Sequence, residues 1–289
     1  MLNNTVREAY RQASSFLAHH GINDPLFEAE WMLRELLGVD RATFFLRWDE
    51  SLTSEQQAIW QQWLTRRAAH EPLQYIFGHA TFYGRRFTVT PAVLIPRPET
   101  ELLVEHVLTK ATNLWGDDRP LRVVEVGTGS GCISITLQLE RPHWSVTTID
   151  ISEEALAIAQ QNAAKYNVAK NIHFVQGSYL SPVLEQAFDI VVSNPPYIPS
   201  QTVLQLDREV QEYEPHIALD GGDDGLQPYR DIISQIKTLP RQRKRLVAFE
   251  IGDEQGQVVA SLLQGDKGEV EVLQDMNERD RYVILVEKD

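Results

Sequence analysis

The sequence predicts an α/β protein in which a small N-terminal all-α bundle and a β-hairpin linker precede a seven-stranded, mostly parallel sheet with helices on both faces. Three observations carry that expectation. Apolar residues keep helical spacing through the first 75 or so positions. The period switches to two between about His79 and Val89. From Leu121 onward, short runs rich in valine and isoleucine alternate with helical patterns, and parallel strands require such crossovers. The corresponding boundaries are 1–75 for the helical part, 76–97 for the linker and 98–289 for the α/β part.

Val6, Tyr10, Ala13, Phe16 and Leu17 share one face of a helix over Thr5–His20, and Gly21 stands where a terminating glycine belongs. Asp24 serves as N-cap and Pro25 as first residue of a second helix, which Gly38 ends after Leu36 or Leu37. A helical turn over Ala42–Leu46 follows. Thr53 and Gln56 make a capping box for a helix to about Ala69, and Pro72 comes after it. In the linker, Tyr83-Gly84-Arg85 turns a hairpin between Thr81-Phe82 and Arg86–Val89. Pro96 and Pro98 stiffen an extended lead into a helix from Pro98 to about Asn113, and Gly116–Pro120 is a loop. Strands are expected at Leu121–Val126, Ser145–Ile149, Ile172–Gln176, Asp189–Ser193, Leu246–Ile251, Val270–Leu273 and Tyr282–Val286. Helices are expected at Gly131–Leu139, Glu153–Tyr166, Leu226–Lys237 and Glu254–Leu263. About eight residues join the last two strands, too few for a helical crossover, so these two should pair antiparallel.

The 289-residue chain is 43% hydrophobic and 24% charged, the balance of a soluble globular protein. No run of about 18 apolar residues offers a membrane span. The polar segment Met1–Glu8 lacks signal-peptide character. Cys132 is the single cysteine, which excludes an intramolecular disulfide and a cysteine zinc cluster, and a reducing, cytoplasmic setting is expected. His79 and His216 are isolated, no histidine pair has ligand spacing, and no metal is expected. A net charge of −14 disfavours a protein devoted to nonspecific nucleic-acid binding, which draws on many Lys and Arg contacts to phosphate. The expectation is a monomer with no nucleic-acid substrate.

Val123–Val126 runs into Gly127-Thr128-Gly129-Ser130-Gly131 and then a helix. Without Cβ atoms the backbone turns tightly and a ligand can approach it closely. In an open α/β sheet this loop lies outside the carboxyl ends of the strands, where ligands bind. A dinucleotide fingerprint requires Gly or Ala at position 132, where this chain has Cys132; the G-x-G-x-G spacing resembles the S-adenosylmethionine loop instead. Asp150 closes the second strand about 20 residues on, where a carboxylate accepts hydrogen bonds from both hydroxyls of an adenosine ribose. The alternatives are a tight strand–helix turn for the glycines and, for Asp150, an N-cap of the helix that starts near Ser152.

A buried strand then ends in Asn194-Pro195-Pro196-Tyr197, at the sheet edge shared with the glycine loop. Its plainer reading is a rigid turn with an aromatic plug, since Asn-Pro marks turns. The placement favours chemistry on a planar NH₂ group conjugated to a π system, a weak nucleophile because its lone pair is delocalised. The side-chain carbonyl of Asn194 can accept one N–H and the backbone carbonyl of Pro195 the other, while Tyr197 can lay its ring on the amide plane. Two acceptors aim the nitrogen at the methyl donor and stabilise the positive charge that develops on it. Neither a strong base nor a metal is needed.

Together, Gly127–Gly131, Asp150 and Asn194–Tyr197 resemble amino-methyltransferases acting on adenine N6, guanine N2 or glutamine N5. Adding Val93–Glu101, with its Pro96-Arg97-Pro98-Glu99-Thr100-Glu101, makes the chain similar to the HemK/PrmC type, the peptide chain release factor glutamine N5-methyltransferases. The likeness covers essentially the whole chain and includes Gly221–Leu226 and Phe249-Glu250-Ile251-Gly252. It implies a class I, Rossmann-like methyltransferase fold, S-adenosyl-L-methionine as cofactor, and as substrate the glutamine of the Gly-Gly-Gln motif in class I release factors. Residues 1–75 would dock the factor while the catalytic part receives its glutamine. The implied cofactor contacts are Gly127, Thr128, Gly129, Ser130, Gly131, Asp150, Tyr179 and Asn194. The implied catalytic residues are Asn194, Pro195 and Tyr197, with Pro196 joining them against the substrate. Two departures stand out. Tyr179 follows the third strand where the family usually has Trp, with Ser178 in place of the acid before it. The Asp275–Arg281 loop lacks a glycine often found there, which suggests drift away from the site.

Arg241, Arg243, Lys244 and Arg245 are best explained as a solvated helix–strand connection, and Asp220–Asp224 as a surface turn. Cys132 is a packing residue, lacking a base to activate it. Arg97 and Glu99 either anchor the linker or help close the cofactor pocket. The competing functions are a DNA or RNA amino-methyltransferase, a dehydrogenase and a translation-factor binding protein without catalysis. The acidic charge, the glycine spacing and the intact motifs count against them in that order.

Overall fold

A computed structural model describes residues 5–265 and 268–288. They form two compact units: one runs to Gly78 and takes in Arg208–Tyr213, and the other comprises His79–Asp207 and Glu214 onward.

The first unit holds α1 (Val6–His19), α2 (Pro25–Leu37), α3 (Arg41–Leu46), α4 (Ser54–Ala68) and α5 (Leu73–Phe77). Capping boxes at Thr5/Glu8 and Thr53/Gln56 satisfy the first N–H groups of α1 and α4. Val6, Ala9, Ala13 and Leu17 face inward from α1 and meet Met32 and Leu33 of α2, Phe44 of α3 and Trp60 of α4 in one core. Asp24 is not the cap its position suggests. Its φ is 47° and its side chain makes no capping bond, so α2 starts on the fixed φ of Pro25 alone. The short α5 does not figure in the sequence reading; it forms after Pro72 and buries Leu73, Tyr75 and Ile76. Arg67, only 5% exposed, donates to Glu28 at 2.6 and 2.7 Å and to Glu209 at 2.8 Å. The Tyr213 hydroxyl donates to the Ala69 carbonyl at 2.8 Å. A buried guanidinium needs its donors matched, and this demand fastens Arg208–Tyr213 to a bundle that precedes it by well over a hundred residues.

The second unit opens with β1 (His79–Phe82) and β2 (Arg85–Thr88), an antiparallel pair turned by Tyr83 and Gly84, both at positive φ as a two-residue hairpin turn requires. There follow α6 (Pro98–Trp115), β3 (Arg122–Val126), α7 (Cys132–Glu140), β4 (Ser145–Asp150), α8 (Glu153–Lys165), β5 (Ile172–Gln176) and β6 (Ile190–Ser193). Next come α9 (Ser200–Val203), α10 (Arg208–Tyr213, the helix given to the first unit), α11 (Gln227–Ile236), β7 (Lys244–Glu250), α12 (Gly256–Leu263), β8 (Glu269–Gln274) and β9 (Asp280–Lys288). The sheet order is β5-β4-β3-β6-β7-β9-β8, parallel except for β9, which runs antiparallel to both neighbours. The α/β class and the terminal antiparallel hairpin therefore match the sequence expectation.

Side chains alternate across the sheet as its period of two dictates. Val123, Ile190, Val192, Leu246 and Ala248 face α6, α7 and α8 on one side. Val124, Val126, Val191, Val247 and Phe249 face α11 and α12 on the other. The chain steps outward from β3 to β4 and β5, then returns to place β6 on the other flank of β3. That reversal opens a crevice at the carboxyl ends of β3 and β6. The basic cluster is not a solvated connection throughout: Arg245 lies in β7, is buried, and donates to the carbonyls of Ile236 and Pro240. Among the described residues no helix is long and apolar enough to cross a membrane.

Candidate active site

A cavity of about 260 Å³ occupies the crevice at the carboxyl ends of β3, β4 and β6. Of the residues singled out from the sequence, Gly127, Thr128, Gly129, Ser130, Asp150, Tyr179, Asn194, Pro195 and Pro196 line it. Gly131 and Tyr197 do not. Gly131 stands just before α7 at φ 79°, and a Cβ there would stand 2.9 Å from Ile135 Cδ1 and 3.1 Å from Ala159 Cβ. It is glycine so that the loop can lie against α8. Tyr197 packs among the apolar residues under α11 and α12.

Asp150 ties the loop together. One carboxylate oxygen accepts the Gly129 N–H and the other the Ser152 N–H, each at 2.9 Å. The helix cap suggested for it belongs to Ser152, whose hydroxyl accepts the Ala155 N–H. Burial raises the Asp150 pKa above the ordinary aspartate value against the pull of these N–H groups. Asn162, fully buried on α8, donates to the carbonyls of Thr88 and Ser130 and accepts the Thr88 N–H, pinning the hairpin to the loop.

Glu125, a carboxyl inside the apolar run of β3, is 1% exposed and lines the cavity. Thr148 donates to its Oε2 at 2.7 Å. Its Oε1, like the Ser130 hydroxyl, has no hydrogen-bond partner among the described residues. A buried polar atom left unpaired is costly. The signal available in the sequence was a lone acid within Val123-Val124-Glu125-Val126, and it passed unused. Burial pushes the Glu125 pKa up to about 8. The folded chain therefore holds this proton at pH values where the unfolded chain has lost it. Stability should fall as pH rises from about 4.5 to about 8. Glu125→Gln is expected to flatten that decline in the cofactor-free protein, as thermal unfolding across the range would show; an unchanged decline would refute it.

After β6, the Asn194 side-chain NH₂ donates to Thr100 Oγ1 at 3.1 Å, and Thr100 donates to Glu250 at 2.7 Å. Burial pushes the Tyr197 pKa up to about 12. Its backbone carbonyl accepts from Gln255 Nε2 at 2.9 Å; the same amide reaches the Gly225 carbonyl and accepts the Gly252 N–H. Asp220–Asp224 is thus not a plain surface turn. Ile198 pairs with Asp220 in a parallel bridge, and Gly225 sits at φ 72° where a Cβ would collide with the Tyr197 carbonyl oxygen. The glycine turn is the floor on which Asn194-Pro195-Pro196-Tyr197 rests.

Arg97 lines the cavity and pairs with the buried Glu214 at 2.5 Å, whose other oxygen accepts the Ile95 N–H. This pairing ties Pro215, Ile217 and Asp220, which also line the cavity, to the segment before α6. The Glu99 carbonyl accepts from Tyr282, and the Glu99 carboxylate bears on Glu250. Tyr179 is held at φ 50°, an unfavourable conformation for a tyrosine. Burial pushes the Cys132 thiol up to about 12, which fits packing. The Asp275–Arg281 loop does not drift away: Arg281 donates to the Ile251 carbonyl, and its charge bears on Tyr197 and Glu250. Glu278 takes φ 60°, where a glycine would sit without strain.

Two families match the sequence: the PrmC N-terminal domain over residues 8–78 and the Methyltransferase small domain over residues 98–210. The release factor glutamine methyltransferase of Bacillus anthracis is 42% identical, with 96% of this chain and 98% of that protein covered. The Bacillus subtilis protein of the same name is 40% identical, with 96% of each covered. The chain belongs to the release factor glutamine methyltransferase family. The first model covers the helical bundle and the relatives cover 96% of the chain, so membership of this family extends to the helical bundle as well as to the sheet. A methyltransferase structure from Pyrococcus furiosus, 17% identical, superposes with a TM-score of 0.51 over 82% of this chain and 99% of that one. At that identity it supports the methyltransferase fold alone.

Proposed function

We propose that this enzyme transfers a methyl group from S-adenosyl-L-methionine to the side-chain amide nitrogen of the glutamine in the Gly-Gly-Gln motif of class I release factors. The observation that carries this reading is the convergence of Asn194 and Pro195 with the glycine loop and Asp150 on one cavity, in a chain of this family.

The cavity fits the cofactor. Glu125 Oε1 and the Ser130 hydroxyl are unpaired: an ionised Glu125 would accept from an ammonium, and the Ser130 hydroxyl would donate to a carboxylate or a hydroxyl oxygen. Asp150 keeps lone pairs for the ribose hydroxyls, and Tyr179 offers a ring to the adenine edge. When bound, S-adenosylmethionine supplies an electrophilic methyl on a sulfonium. Asn194 accepts one N–H of the glutamine amide and the Pro195 carbonyl accepts the other. Tyr197, which packs under α11 and α12 outside the cavity lining, supports this turn from beneath rather than facing the amide. With the cofactor held by the glycine loop and Asp150, Asn194 and Pro195 would keep the amide nitrogen oriented toward the methyl group it supplies, and the surplus proton of the methylated nitrogen would pass to solvent. Both acceptors strengthen as positive charge develops on that nitrogen.

The helical unit docks the factor, and the reaction places the enzyme in the cytoplasm with its substrate. Phe45 and Leu46 on α3 are exposed, Leu46 by 85%, an apolar face suited to a protein partner. Phe45→Asp with Leu46→Asp is expected to raise KM for the intact factor about tenfold, leaving methylation of a short Gly-Gly-Gln peptide unaltered. Equal loss on both substrates would count against docking there. The deciding experiment incubates the protein with labelled S-adenosylmethionine, release factor and bulk nucleic acid, then maps the label by mass spectrometry. A methyl on the Gly-Gly-Gln glutamine is the expected result. Label in nucleic acid alone would overturn the substrate, and no label would favour a binding role.

A further inference from the structure

We infer that Thr100 and Glu250 are positioning residues that lock the Asn194 amide with its carbonyl oxygen toward the substrate. The inference rests on the proposal that Asn194 accepts an N–H of the glutamine amide, and it names what makes Asn194 an acceptor there.

An asparagine amide has a donor end and an acceptor end of nearly the same shape, and only its neighbours decide which end faces a ligand. Asn194 Nδ2 donates to Thr100 Oγ1 at 3.1 Å, and Thr100 Oγ1 donates to Glu250 Oε2 at 2.7 Å. A hydroxyl has a single proton. Given to an ionised carboxylate, which can only accept, that proton leaves the Thr100 oxygen able only to accept from Asn194. The NH₂ end is thereby drawn inward and the carbonyl end is left for the cavity, which Asn194 and Thr100 both line. Thr100 is 3% and Glu250 1% exposed, so water does not stand in for either partner. The three residues lie in separate parts of the chain, at the start of α6, after β6 and at the end of β7. Such an arrangement explains why Pro96–Glu101 and Asn194–Tyr197 belong to one site although neither motif predicts the other.

The relay has a polarity that a proton can reverse. A protonated Glu250 can donate to Thr100, which then donates to the Asn194 carbonyl and turns the NH₂ end toward the substrate. Burial pushes the Glu250 pKa up to about 7. Arg281 from β9 and Arg97 before α6 pull it down, and Glu99 pushes it up. Among the described residues, Tyr197, Tyr229 of α11, Tyr282 of β9 and Cys132 of α7 also couple to it, all with raised pKa values and neutral in this range. Turnover should therefore climb as pH rises through about 7 and Glu250 ionises.

The test uses the full-length enzyme with intact release factor and compares Thr100→Val, Thr100→Ser, Glu250→Gln and Asn194→Ala. For each, kcat, KM, the S-adenosylmethionine dissociation constant by calorimetry and the unfolding midpoint are measured. Thr100→Val is expected to lower kcat about tenfold while KM and cofactor affinity stay within about twofold. Thr100→Ser, which restores the hydroxyl, is expected to recover most of that loss. Glu250→Gln, which can present either an oxygen or an NH₂ to Thr100, is expected to lower kcat and remove its rise through about pH 7. A folded Thr100→Val enzyme with full kcat would overturn the inference, as would a Glu250→Gln enzyme that keeps the pH rise. Should Thr100→Val not fold, the Glu250→Gln profile decides alone. Full turnover by Asn194→Ala would instead refute the reading of the site itself. An inactive Asn194→Ala beside a fully active Thr100→Val would refute only the positioning role.

Discussion

Asn194→Ala should lower kcat on release factor by about 100- to 1000-fold, the cost of removing one preorganised polar contact to a charge that develops in the transition state. S-adenosylmethionine affinity should change by no more than about threefold. The split follows from where the side chain sits. Asn194 follows β6 at the cavity wall with its NH₂ spent on Thr100, which leaves the carbonyl as its free polar end. Removing an acceptor that binds ground state and transition state alike would raise KM at unchanged kcat. An acceptor that strengthens as the nitrogen becomes cationic lowers kcat when removed. Single-turnover methylation at saturating cofactor separates the two. A loss confined to the cofactor dissociation constant would make Asn194 a cofactor contact and nothing more.

The opposite split is expected at Asp150. Asp150→Ala should weaken S-adenosylmethionine binding by about 100-fold or more, because one carboxylate serves two jobs. Its oxygens hold the N–H groups of Gly129 and Ser152, and so shape the loop, while their remaining lone pairs are those proposed to accept the ribose hydroxyls. Asp150→Asn keeps one acceptor and should recover part of the affinity. With cofactor at saturation, kcat should fall far less than in Asn194→Ala, since Asp150 touches no reacting atom. Calorimetric titration of both variants decides the matter. Wild-type affinity in Asp150→Ala would leave the carboxylate a loop brace without a ligand role.

These two residues were legible because each belongs to a contiguous pattern. A backbone that must turn tightly at the end of a strand shows itself as Gly127, Gly129 and Gly131, and a planar amide site as Asn194-Pro195-Pro196-Tyr197. The residues that support them were not. Thr100 and Glu250 lie 94 and 150 positions from the partners they bond. Gln255 holds Tyr197 from 58 positions away, and Asn162 holds Thr88 from 74. A single sequence displays the residue type at such positions but not the partner, so the Asp220–Asp224 turn passed for surface and Arg245 for a solvated cation. Asp24 shows the converse error: the right residue type for a cap, at a backbone angle that does not allow it to cap.

The sequence by itself determined the α/β class, the helical bundle before it, the antiparallel end of the sheet and the short motifs at the carboxyl ends of β3 and β6. Each of these is written in a local period or spacing, and local sterics and burial suffice to read it. Only the tertiary structure decided that Glu125 lines the cavity, that Gly225 supports the Tyr197 carbonyl, that Glu214 draws Arg97 to the cavity wall, and that Thr100 stands between Asn194 and Glu250. Those facts depend on which buried polar groups meet after the chain has closed on itself. Each such group must find a partner wherever the fold has brought one within reach.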